Sequence, residues 1–152
     1  MLKIRSDIII PNIDRFIYLL EQKIQNEPNK IFIIAYQINS DTIMLPVDYI
    51  TFGRTEQMIK FWNVMTDPSL LDMGIPAELV LNINYTGKNN FNLDNKNDIY
   101  EFNTYYGYFI EDINKDGIQI YWLSKYFDKY AHPTLDNCVF VNRYVEDPFY
   151  GY

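Results

Sequence analysis

The chain comprises 152 residues, 48% of them apolar and 22% charged, a length and balance that suit one compact domain over residues 1–152 and exclude two of ordinary size. Thirteen basic and twenty acidic side chains give a net charge of −7, distributed as −1, −2 and −4 over residues 1–50, 51–100 and 101–152. Such a field repels phosphate backbones and anionic headgroups, so neither nucleic acid nor a membrane surface is an expected partner.

In chain order, Ile13, Phe16, Ile17, Leu20 and Ile24 recur at three- and four-residue spacing, which predicts a helix over residues 12–26 with Asn12 as its cap and Pro28 as its stop. Residues 30–37 (KIFIIAYQ) are β-branched and aromatic with little polar interruption, the pattern of a central strand buried on both faces. Asn39, Ser40 and Asp41 supply a turn, and residues 42–50 return as an antiparallel neighbour in which Pro46 marks an edge, a bulge or an end. Met58, Phe61, Trp62 and Met65 form the stripe of a second helix over 55–66, closed by Asp67-Pro68, with a short helical turn after it ending at Gly74. Residues 78–86 alternate and read as a strand, with Leu79, Leu81, Ile83 and Tyr85 on one side. Residues 87–97 are polar and asparagine-rich, a loop too long for a simple hairpin turn and expected to move at its tip.

Two aromatic-rich runs flank Asn114-Lys115-Asp116-Gly117, which predicts a hairpin over 98–125 with a type I turn and a glycine bulge. In that register Tyr108, Ile110, Ile118, Ile120 and Trp122 share a face. A short helix over 124–131 and a last strand over 137–144 complete the expected elements. The expected fold class is α+β: an antiparallel sheet of five to six strands with the two longer helices mainly on one face.

Lone Cys138 permits no intrachain disulfide, the apolar run near the start is only Ile8 to Ile10 before Pro11, and no run nears the roughly 18 apolar residues of a membrane span. A reducing, cytoplasmic setting is expected. Abundant Ile, Asn, Lys and Tyr with three alanines resemble the product of an A+T-rich genome, such as that of a low-G+C bacterium or its phage.

Few patterns point to chemistry. Asp112, Asn114, Asp116 and Gly117 match the start of a calcium loop, but the twelfth position is Leu123 and strands are expected on both sides, so the turn reading is preferred. Cys138 lies in an apolar run and His132 precedes Pro133, which suits an inert thiol and a surface turn better than a nucleophile and its base. One His and one Cys fall short of a zinc framework, and no cofactor or metal is expected. Gly53-Arg54-Thr55 opens a helix without a phosphate-binding motif, and Asn84-Tyr85-Thr86 would accept a glycan only in an exported chain.

Twenty-six aromatic residues, fourteen of them Tyr, exceed what one modest core can bury, and stiff rings beside carboxylates are good interface material. Small, acidic α+β chains without a catalytic set resemble many bacterial immunity proteins in type. Leu45-Pro46-Val47-Asp48-Tyr49 resembles the leucine-proline-acidic-tyrosine stretch of one immunity superfamily, which a helix is expected to flank.

The expectation is therefore a protein-binding module, an immunity-type inhibitor of a basic partner such as a nuclease toxin, with Asp94, Asp98, Glu101, Tyr105, Tyr106, Glu111, Asp112 and Asp116 as its binding face. Other classes are a phage or mobile-element protein that mimics nucleic acid or blocks a host enzyme, a small carboxylate-dependent enzyme, and a subunit pairing with itself through a strand edge. The first places no residue in catalysis.

Overall fold

The computed structural model describes residues 1–6, 8–39, 42–63 and 74–122. The expected elements over 124–131 and 137–144, and the helical turn before Gly74, lie outside them.

At the centre is strand β3 (Ile31–Ile33), all of it buried. It is flanked on one side by β6 (Ile50–Phe52), antiparallel to it with Phe32 opposite Phe52, and β6 is in turn paired antiparallel with β1 (Leu2–Ile4). On its other side runs β7 (Tyr106–Tyr108), parallel to β3 with Phe32 beside Gly107. Among the described residues the sheet β1-β6-β3-β7 is thus mixed and four-stranded; the parallel β3–β7 pair overturns the purely antiparallel sheet expected, and the last of the five to six expected strands, over 137–144, lies outside them. Two short antiparallel pairs accompany it among the described residues: β2 (Ile8–Ile9) with β8 (Tyr121–Trp122), and β4 (Tyr36–Asn39) with β5 (Ile43–Pro46).

Alternation along β3 sorts the core into two clusters. Phe32 and Ile34 pack with Phe16, Leu19 and Leu20 of α1 (Ile13–Asn26) and Ile110 and Ile113 of α5 (Ile110–Asp116). Ile31 and Ile33 pack instead with Met58 and Phe61 of α2 (Thr55–Trp62), Leu81 and Tyr85 of α3 (Ala77–Thr86), and Phe102 of α4 (Lys96–Tyr105). Helices therefore cover both faces of the sheet, and the two helices expected mainly on one face, α1 and α2, lie on opposite ones. The class α+β stands.

Local chemistry explains most boundaries. The Asn12 side chain accepts from the Arg15 amide at 3.3 Å and opens α1 as expected. Pro46 ends β5 opposite Tyr36, and Val47 to Tyr49 bend the chain from β5 into β6, so residues 42–50 form two strand segments rather than one. In the stretch resembling the immunity superfamily, Val47 and Tyr49 are buried, and β6 rather than a helix follows.

Two further expectations are corrected. Residues 78–86, expected as a strand, form α3; its buried residues Glu78, Leu81, Asn82 and Tyr85 follow helical spacing, and because two of the four are polar the apolar residues alone counterfeit a two-residue period. The hairpin expected over 98–125 is replaced, within the described residues 98–122, by α4, β7, α5 and β8. Gly117 has φ +63° and caps α5, and a left-handed glycine serves a helix end as readily as a hairpin bulge. With Asp112, Asn114 and Asp116 on a helix, oxygens at alternate positions diverge instead of wrapping one cation.

Candidate functional site

Helix α4 is built by its cap and one apolar edge. The Asn95 side chain accepts from the Asn97 amide at 2.9 Å, and Phe102 inserts fully into the core between Phe91 and Tyr106. The opposite side, with Asn97, Tyr100, Glu101 and Thr104 at helical spacing, faces out. Tyr100 is 76% exposed, a large ring left in water with Glu101 beside it.

The segment between α3 and α4 is fixed in place by named bonds. The Lys88 ammonium donates to Asp98 Oδ1 and Glu101 Oε2, both at 2.8 Å, and the second Asp98 oxygen accepts from the Asn92 amide at 2.9 Å. Phe91 is buried, the Met44 amide donates to its carbonyl at 2.8 Å, and the Leu93 amide donates to the Thr42 carbonyl at 2.7 Å. Hydrogen bonding from Lys88, then from the Asn92 amide, holds the Asp98 carboxyl below the usual carboxylate range; the same two acids raise the Lys88 ammonium above its ordinary value.

The eight residues expected to form one binding face fall into two groups. Asp94, Asp98, Glu101 and Tyr105 lie on or next to α4, where Asp94 is exposed and Asp98 is largely covered by its partners. Glu111, Asp112 and Asp116 lie on α5, which packs on the other side of the sheet, and Asp112 pairs with Lys23 of α1 at 2.6 Å. Tyr106 leaves the set. It is 1% exposed at the start of β7, and its hydroxyl donates to the buried Asn82 Oδ1 at 2.9 Å, so it is a core residue. Tyr100 was missed because a strand reading gives residue 100 no distinction, whereas helical spacing places it midway along the outer side of α4.

A cleft of about 370 Å³ opens beside this helix. Glu56, Gln57 and Lys60 of α2 form one wall, and Thr104 and Tyr105 of α4 form the other, with Tyr85 and Asn29 also lining it. Because Asn29 precedes β3 and Tyr105 precedes β7, the cleft lies at the amino ends of the two parallel strands. The Tyr85 ring packs edge-on against Tyr105 at 5.7 Å, and its hydroxyl donates to the Asn29 carbonyl at 3.3 Å. Burial, with Tyr105 nearby, pushes the Tyr85 phenol up to about 12, so it stays a neutral donor. Gln57 Oε1 is shielded from solvent with no hydrogen-bond partner, an arrangement that costs roughly 1–3 kcal/mol.

Family models, curated proteins and solved structures yield no match to this chain. Among the described residues no group of three or more His, Cys, Asp or Glu side chains is placed to hold a metal ion, and no helix is long and apolar enough to cross a membrane.

Proposed function

We propose that the protein is an acidic binding module that docks on a basic protein partner, of the kind an immunity protein offers a nuclease toxin, through the outer side of α4. One observation carries the reading: Tyr100 stands 76% exposed on the helix that also bears Glu101, with Asp94 just ahead of its cap. A stiff ring at the centre of a contact covers area at low entropic cost, while rim carboxylates speed encounter with a cation. The −7 net charge supports the same direction of steering. The α5 carboxylates serve this reading only as part of the long-range field.

The test is a binding titration against basic proteins encoded beside the gene, with the wild-type chain, Tyr100→Ala and the Asp94→Asn, Glu101→Gln double variant. The expected result is a complex weakened about tenfold or more by the tyrosine change. The charge variant should lower the association rate and flatten its salt dependence. Complexes indifferent to both variants would place the contact elsewhere.

A further inference from the structure

We infer that the cleft between α2 and α4 binds a small zwitterion, an α-amino acid carrying both its ammonium and its carboxylate. This goes beyond the protein-docking reading and stands on other residues. Glu56 and Lys60 are spaced i, i+4 with the acid nearer the amino end, the arrangement that most favours an ion pair along a helix. Among the described residues they form none: the Lys60 ammonium lies 5.4 Å from the centroid of the Tyr85 ring, and the Glu56 carboxylate has no cationic partner. The cleft thus presents one negative group without a cationic partner and one positive group held only over the Tyr85 ring, so neither is committed to a carboxylate or ammonium of the chain among the described residues.

Charge balance selects the ligand. A simple amine meets attraction from Glu56 and repulsion from Lys60, and a simple carboxylate meets the reverse. A molecule with both groups meets two attractions. The separation of the two side chains, one helical turn with roughly 5–6 Å between their Cβ atoms, suits the short span between the amine and acid of a single amino acid better than the two ends of a peptide. An ammonium has three N–H donors; Glu56 takes one, and Gln57 Oε1, which lacks any donor, takes another after a turn about its soft amide torsion. Tyr105 offers the ligand's side chain an aromatic wall. The volume of about 370 Å³ admits such a molecule without rearrangement of the sheet.

The experiment is an amide NMR titration of the whole chain with L-leucine, with 3-methylbutylamine, which lacks the carboxylate, and with 4-methylpentanoate, which lacks the amine. Leucine should shift the amides of residues 56–60 and 104–105 saturably, and each single-charge analogue should bind about tenfold more weakly or worse. Glu56→Gln should bring leucine down to the affinity of the acid analogue, and Lys60→Met should bring it down to that of the amine. No saturable shift with leucine in the millimolar range, analogues that bind as tightly as leucine, or affinities unmoved by both variants would overturn the inference. The docking reading is tested at Tyr100 and Asp94, outside this cleft, so either can fail while the other stands.

Discussion

Asn82 shows how much one buried amide can hold. Fully buried on α3, it accepts from the Tyr106 hydroxyl at 2.9 Å and donates to the Lys88 carbonyl at 3.0 Å, joining helix, strand and following segment. Asn82→Leu strands both partners and should destabilise the fold by about 1–3 kcal/mol in denaturant unfolding. Combining it with Tyr106→Phe removes the hydroxyl as well, so the double variant should cost less than the sum of the two single changes. Strict additivity would show that the hydroxyl–amide bond contributes little. Neither residue's role was legible beforehand: an Asn in an alternating run reads as a solvent-facing strand position, and Tyr106 reads as surface until the pairing of β7 with β3 turns it inward. Asn12 was legible because a cap acts locally.

At the scale of elements, the close approach of β7 to β3 depends on Gly107, where a Cβ would lie 2.4 Å from the Phe32 ring. Gly107→Ala must push that buried ring aside, with an expected loss of about 1–3 kcal/mol or more, and a thermal scan that leaves the melting temperature unchanged would contradict the parallel register. The Lys88 clip has its own pH signature. Because Asp98 is more acidic in the fold than in an unfolded chain, its contribution is present above the usual carboxylate range and is lost as pH falls through its lowered value. Lys88 is raised, so its contribution holds below the ordinary lysine value and fades as pH rises through the higher one. The Asn92 amide resonance should therefore be steady between about pH 5 and 9 and move at acid pH. In Asp98→Asn that acid step should vanish. A step near neutral pH in the wild type would refute the clip.

Which elements could be read in advance follows from how they earn their burial. Helix α1 and strand β3 have apolar residues at the period of their own geometry, so pattern and structure agree. Helices α3 and α4 bury few apolar side chains of their own, and α3 buries two polar ones, so the two-residue alternation dominated the sequence signal. The parallel β3–β7 pair spans most of the described chain, and no local pattern announces so distant a partner.

Across the described residues, the acids between Asp94 and Asp116 are divided by the fold between two layers. Lysines answer part of their charge: Lys88 bridges Asp98 and Glu101 on the α4 side, offsetting one of their two charges, and Lys23 meets Asp112 on the α5 side. On the proposed docking reading the acidic field acts as a steering influence, while specificity has to come from a compact spot. Tyr100 on α4 is the spot proposed for it, and the cleft lined by Thr104 and Tyr105 of the same helix is the proposed small-molecule site. Net charge and aromatic richness were visible in the sequence; the division of the acids was not, because it depends on α4 and α5 packing against opposite faces of one sheet.

The most direct measurement is the association rate between this chain and a basic protein encoded beside its gene, recorded across ionic strength for the wild type and Tyr100→Ala. The account predicts a wild-type rate that falls steeply with salt, and a tyrosine variant that keeps the salt slope but dissociates about tenfold faster or more. A complex whose rate ignores salt, or whose lifetime is unchanged without the Tyr100 ring, would contradict it.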